Sequence, residues 1–102
     1  MDKKNSEKKV NIELDEKIAE GTYSNLAIIN HSISAFVIDF VNLMPGSPKA
    51  RVKSRIILTP EHAKRFHKAL DDNIKRFEKS TGEIKINKTS SIPLNFGTQG
   101  EA

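Results

Sequence analysis

The chain has 102 residues, of which 36% are hydrophobic and 29% are charged, and its formal net charge is +4. This length suits one domain of ordinary size. The absence of cysteine excludes disulfides, thiolate metal sites and thiol catalysis. No apolar run approaches the roughly 20 residues of a membrane-spanning helix, and no apolar stretch follows the charged start as in a secretion signal. We therefore expect a cytoplasmic protein with no membrane partner.

Four segments have the pattern of β-strands. Residues 10–14 alternate apolar and polar side chains, and residues 22–30, 35–43 and 50–58 are rich in β-forming residues. Residues 15–21 read as a connection with one helical turn, stopped by its final glycine. The short connections between the strands predict an antiparallel sheet.

The period of the apolar residues then changes to that of a helix over residues 60–80. Thr59 is a suitable N-cap, Pro60 fits the first helical position and Gly82 fits the C-cap. One stripe of the predicted helix is apolar: Ala63, Phe66, Leu70, Ile74 and Phe77. Three i,i+4 ion pairs are expected to support it: Glu61 with Arg65, Asp71 with Lys75, and Asp72 with Arg76.

These elements predict an α+β fold in the order β-β-β-β-α. A four-stranded antiparallel sheet is followed by one long C-terminal helix packed on one face. Residues 9–86 form the single domain, residues 1–8 a disordered N-terminus, and residues 87–102 a flexible tail. Residues 83–86 have the composition of an additional short strand, and the tail holds a small apolar cluster at 92–97.

The register of the strands can be predicted from which side chains would lie opposite each other on neighbouring strands. Pairing Ile38 with Ile56 keeps apolar side chains together, and extending the same parity to the first hairpin places Leu26 opposite Ile38 and Ile28 opposite Phe36. The face expected to receive the helix then carries six residues: Phe36, Ile38, Phe40, Val52, Ile56 and Leu58.

The second face of this sheet is more apolar than a solvated face should be. Asp39 is expected opposite Arg55 on this face, near Asn25, as an ion pair that fixes register. One helix cannot cover both faces, so a second copy, another protein or the chain's own termini must cover this one. The candidate interface residues are Tyr23, Asn25, Ala27, Ile29, Val37, Asp39, Val41, Arg55 and Ile57.

No constellation of catalytic or metal-binding residues stands out. His62 and His67 are five residues apart on the helix, so they do not share a face as an i,i+4 metal pair does. His31, Ser32 and Asp39 are the residue types of a hydrolytic triad, but their positions suit a turn and a strand instead. We expect no enzyme activity, no cofactor and no bound metal.

The positive charge is concentrated in one part of the chain. Residues 49–79 hold ten Lys or Arg against four Asp or Glu, whereas the rest has a small negative excess. A basic segment can meet phosphate, although exposed aromatics for base stacking are lacking. Nucleic-acid binding is therefore an alternative, carried by Arg51, Lys53, Arg55, Lys64, Arg65 and Lys68.

Several of these residues together resemble a family of short bacterial and archaeal proteins that carries only a domain-of-unknown-function label. The resemblance covers about residues 22–82 and implies a stand-alone cytoplasmic protein without assigned activity or catalytic residues. The strands-then-helix order is also similar in topology to the export chaperone SecB. The residues that carry the family resemblance are Tyr23, Asn25, His31, Ser32, Phe36, Asp39, Phe40, the run Arg55 to Lys64, Ala69, Leu70, Asn73, Ile74, Phe77, Glu78 and Gly82.

The expected function is a non-catalytic, oligomeric protein-binding or adaptor module, chaperone-like in character. Its partners would be itself, as a homodimer or higher oligomer, and an unidentified protein. Two alternatives stay open. One is the nucleic-acid binder. The other is a small enzyme with a pocket near Asn25, His31 or Asp39.

Overall fold

The computed structural model describes residues 9–86. Three strands form one antiparallel sheet in the order β1-β2-β3, and the longest helix follows the last strand. The α+β class, the antiparallel sheet and the C-terminal helix are thus confirmed. In chain order the elements are α1 (Glu16–Ala19), β1 (Leu26–His31), β2 (Phe36–Asn42), β3 (Arg51–Leu58) and α2 (Pro60–Thr81). The predicted disordered residues 1–8 and tail 87–102 lie outside the described residues.

The predicted fourth strand is not part of the sheet. Residues 10–14 form neither helix nor strand, and neither do residues 83–86. Alternation indicates which side chains a strand would bury, but a strand exists only when a neighbouring strand satisfies its backbone. Within residues 9–86 the first of these segments has no such neighbour.

The ends of α2 are those that the sequence predicts, and the helical turn predicted within residues 15–21 is present as α1. In α1 the side chain of Asp15 accepts a hydrogen bond from the backbone N–H of Lys17 at 3.2 Å, and Gly21, with φ of 82°, follows the turn. The Oγ1 of Thr59 accepts from the N–H of His62 at 3.1 Å, which caps α2. Gly82, with φ of 119°, donates its N–H to the carbonyl of Glu78 at 2.9 Å and closes α2.

From Phe36 to Phe40, the pairing of β2 with β3 is the one predicted. Ile38 lies opposite Ile56, and Asp39 lies opposite Arg55. The register shifts between Phe40 and Val41, and Val41 lies opposite Val52. Because of this bulge, Val52 shares the face of Val41, and its predicted place on the face of Ile38 is wrong.

The pairing of β1 with β2 differs from the prediction by three residues. Ile28 lies opposite Asp39, and His31 lies opposite Phe36. The predicted register centres the turn on Ser32, whereas the observed turn is centred between Ile33 and Ser34. Ser32 holds this turn: its N–H donates to the carbonyl of Ala35 at 2.9 Å, and its Oγ accepts from the N–H of Ser34 at 3.3 Å. An odd shift exchanges the two faces of a strand, so every side chain of β1 lies on the face opposite to the one predicted.

The described part of the chain has a small core. The buried hydrophobic residues are Ile38 and Val41, both on the central strand, and no residue of α2 is buried. The prediction that the helix packs on one face of the sheet is therefore wrong. Only Thr59 separates β3 from α2, whereas connections between a strand and a helix usually have at least two residues. Little chain is present to fold the helix back over the sheet.

Candidate association surface

α2 carries an apolar surface that the described part of the chain leaves exposed. Four of its side chains, spaced by four, four and three residues, lie on one side of the helix. They keep between 38 and 50% of their surface exposed, although such a stripe is normally the side of a helix that packs against a core. We call these residues the α2 stripe: Phe66, Leu70, Ile74 and Phe77.

The C-terminal end of the α2 stripe widens into a shallow groove. After Gly82 the chain returns along the helix, and the N–H of Ile84 donates to Oε2 of Glu78 at 3.0 Å. This bond places Ile84 beside Ile74 and Phe77, and Asn73 completes the lining of the groove. The groove is almost entirely apolar, so it adds to the surface that must be covered.

The nine predicted interface residues do not form one surface. Five of them share the face of Asp39 on β2 and β3: Val37, Asp39, Val41, Arg55 and Ile57. The reversed register of β1 places Ala27 and Ile29 on the opposite face, with Ile38. Tyr23 precedes β1 and is exposed. In place of Ala27 and Ile29, the face of Asp39 receives Leu26 and Ile28.

Asn25 has a structural role that the sequence did not reveal. Its Oδ1 accepts from the N–H of Leu43 at 2.7 Å, and its Nδ2 donates to the carbonyl of the same residue at 3.0 Å. The neighbouring Ser24 donates its Oγ to the carbonyl of Val41 at 3.0 Å. These bonds continue the β1-β2 pairing by one more step, so the Asn25 side chain is occupied within its own chain.

Asp39 and Arg55 form the ion pair that the sequence predicts. Nε of Arg55 donates to Oδ1 at 2.7 Å and Nη2 donates to Oδ2 at 2.8 Å, while only 2% of Asp39 remains exposed. The hydrogen bonds from Arg55 hold the pKa of Asp39 below its usual value, against the opposing effect of burial. The same bonds raise the pKa of Arg55. The carboxylate thus joins β2 to β3 in its ionised form.

The histidine and serine residues of the suspected triad have other partners. His31 stacks on Phe36 with ring centroids 5.3 Å apart, and Ser32 bonds within the hairpin loop, as the turn interpretation predicted. Asp39 is held by Arg55. Among residues 9–86 there is also no group of three or more His, Asp or Glu side chains arranged to hold a metal ion.

The basic residues predicted for nucleic-acid binding lie close to acidic side chains. Arg65 pairs with Glu61 at 2.6 Å, as predicted. Lys64 and Lys68 line a shallow depression on the polar side of α2 that Glu61 and Asp71 also line. The surface therefore carries both signs of charge, which weakens its attraction for phosphate.

Of the other two ion pairs predicted on α2, one is present in the described structure and one is not. The pair of Asp71 with Lys75 forms at 3.0 Å and raises the pKa of Lys75. Asp72 and Arg76 form no ion pair in the described structure. On β3, Arg51 and Lys53 are exposed, and Arg55 is the partner of Asp39.

The sheet and helix define a small α+β domain whose amphipathic helix is left uncovered. The chain belongs to the family described as "Protein of unknown function (DUF3467)", whose model matches residues 1–86. This confirms membership of a family without assigned function, as the sequence motifs indicated. Neither the curated proteins nor the solved structures contain a match to the chain. Within residues 9–86, no helix is both long and apolar enough to cross a membrane.

Proposed function

We propose that this protein is a non-catalytic, homo-oligomeric protein-binding module, an adaptor of chaperone-like character. Copies associate through the α2 stripe, and the face of Asp39 on the sheet is the surface that binds another protein. The observation that carries the proposal is the exposure of the whole α2 stripe in a chain whose described part buries two hydrophobic residues.

The helix itself supports association. In proteins most of the stability of a helix comes from packing of its apolar face and not from intrinsic helix propensity. Phe66 to Phe77 spans about 16 Å along the helix at 1.5 Å per residue. A stripe of this length can pack against the same stripe of a second copy, related by a twofold axis, so that each residue finds an apolar partner.

The extent of apolar surface also favours a stable oligomer. Specific interfaces bury about 800 Å² on each partner, which is more than four half-exposed side chains supply. Ile84 extends the stripe at one end, and Ile56 on β3 is exposed as well. Association over these residues together would give the chain the burial that its own core lacks.

The face of Asp39 supports the binding of a further protein. Ile57 is exposed on it beside Arg55, whose guanidinium has two of its nitrogens on Asp39 and a third, Nη1, without a bond to that carboxylate. An apolar surface with one oriented donor suits an extended polypeptide segment with apolar side chains and an acidic group.

Light scattering on variants of the full chain tests the association. Leu70→Asp introduces a charge in the centre of the α2 stripe, and we expect the mass to fall to that of one copy at micromolar concentration. Lys68→Asp places the same side chain on the polar side of α2 and serves as the matched control, with mass unchanged. The proposal is wrong if both variants keep the mass of the native protein.

Nucleic-acid binding is the competing function. It predicts retention of generic single-stranded or duplex DNA at low salt, with affinity that falls steeply as salt is added. Because Arg55 and Arg65 are each held by a carboxylate, we expect no such retention. Tight, salt-sensitive binding that Lys64→Ala and Lys68→Ala weaken together would favour this alternative over the adaptor.

A further inference from the structure

We propose that residues 10–14 of one copy add as a fourth strand along the open edge of β3 in a second copy. This inference rests on the proposed oligomer and names how its sheets are completed. Exchange between two copies would be reciprocal, so each sheet would gain one strand from the other chain.

The segment has the properties of a strand that lacks a neighbour. Val10, Ile12 and Leu14 alternate with polar residues, and they are 78, 91 and 69% exposed. Alternation over five residues is typical of a strand with one buried face. In a single copy this segment lies outside its own sheet, so its apolar side has nothing to cover it there.

The open edge of β3 can supply the neighbouring strand that residues 10–14 lack. β3 is the longest strand, with eight residues, and one of its two sides has no partner in the described sheet. Successive side chains of a strand point to opposite faces, yet Ile56 and Ile57 are 43 and 65% exposed. Side chains exposed on both faces of β3 are typical of an edge strand, where an added strand would cover part of each face.

Charge selects β3 over the other open edge. Residues 9–16 hold one lysine and the three acids Glu13, Asp15 and Glu16, whereas β3 holds three basic residues and no acid. β1, the opposite edge, has neither Lys, Arg, Asp nor Glu. If the apolar side of the added strand lies beside Ile56, alternation places Glu13 on the other face, on the side of the exposed Lys53.

Engineered cysteines test the contact directly, because the chain has none of its own. A tagged copy with Ile12→Cys is mixed with an untagged copy that carries one cysteine on β3. Residues that face each other across antiparallel strands have Cα atoms about 4.5–5.5 Å apart, within the range of a disulfide. We expect a tagged–untagged disulfide with Ser54→Cys, Ile56→Cys or Leu58→Cys, at least about fivefold more than with the opposite-face control Ile57→Cys.

A charge exchange provides a second, independent measurement. Glu13→Lys should raise the dissociation constant of the oligomer about tenfold. Combining it with Lys53→Glu should restore the native value. Glu20→Lys changes the same charge outside the segment and should leave association unchanged. Loss of association with Glu20→Lys as well, or no rescue by Lys53→Glu, would contradict pairing with β3.

The possible results separate this inference from the oligomer itself. A native mass above one copy without any cross-link to β3 overturns the strand exchange and leaves the oligomer standing. A cross-link that forms only within one chain, in the variant with both cysteines, shows that the segment folds onto its own sheet and overturns the exchange. A mass of one copy at all concentrations overturns both.

Discussion

Arg55 on β3 holds Asp39 on β2 with two parallel hydrogen bonds of 2.7 and 2.8 Å. The two residues are directly opposite in the sheet, so a slip of one residue would separate them and leave a buried carboxylate without its cation. The pair therefore fixes the register of the strand that leads into α2, and through it the position of the α2 stripe.

The pair makes stability depend on pH in a defined direction. Arg55 lowers the pKa of Asp39 in the folded protein, from an unfolded value of about 3.9. A group of this kind contributes stability above its unfolded pKa, and the contribution is lost as pH falls through the folded pKa. We expect the free-energy difference between native protein and Asp39→Asn to be about 1–3 kcal/mol at neutral pH and to shrink below about pH 4.

Urea unfolding at a series of pH values measures this difference. Glu20→Gln removes an exposed carboxylate that forms no ion pair in the described structure and serves as the control. A difference between native protein and Asp39→Asn that stays constant from neutral to acidic pH would show that the ion pair does not favour the ionised carboxylate.

Asn25→Ala tests the interpretation of Asn25 as part of the hairpin. The substitution removes both hydrogen bonds to Leu43, so we expect a loss of about 1–2 kcal/mol in the free energy of unfolding. The mass of the assembled protein should stay the same, with Ser34→Ala as a control in the exposed hairpin loop. Normal stability with lost association would instead assign Asn25 to an interface.

Thr59→Ala tests how far assembly depends on α2. Loss of the hydrogen bond to His62 removes the N-cap, which costs about 1 kcal/mol, and association should weaken because the helix is then formed less often. Thr59→Ser retains the hydroxyl and should behave as the native protein. Circular dichroism against concentration reports both effects, and equal behaviour of the alanine and serine variants would contradict the capping role.

Ile57→Ser tests the sheet face proposed to bind another protein. Ile57 is exposed, so the change should have little effect on stability, but it should reduce the protection of a chemically unfolded model protein against aggregation. Ile33→Ser, in the exposed hairpin loop, is the matched control and should protect as well as the native protein. Equal protection by both variants would remove the face of Asp39 as the working surface.

Local chemistry explains which parts of the fold could be predicted. The bounds of α2 follow from Thr59, Pro60 and Gly82, which act within one turn of the helix ends. The β2-β3 register follows from one charged pair, Asp39 with Arg55, whose separation would be costly. In each case the deciding residues are few and their interactions are specific.

The parts of the fold that could not be predicted depend on features that leave no comparable pattern in the sequence. The β1-β2 register is set by a loop that Ser32 closes within four residues, and an error of three residues there reversed the faces assigned to Ala27 and Ile29. Amphipathicity indicates that the α2 stripe needs cover, but it does not say whether the chain's own sheet or a second copy supplies it. Likewise, the alternation of residues 10–14 indicates a strand, but it does not say which chain supplies the neighbouring strand.

The molar mass of the native full chain in solution, measured by light scattering at micromolar concentrations, is the most direct test of the account. One copy has a mass of 11.4 kDa. We predict a mass of at least twice this value, with dissociation on dilution. A mass of one copy at every concentration, with α2 fully formed, would contradict the claim that a second chain covers the α2 stripe.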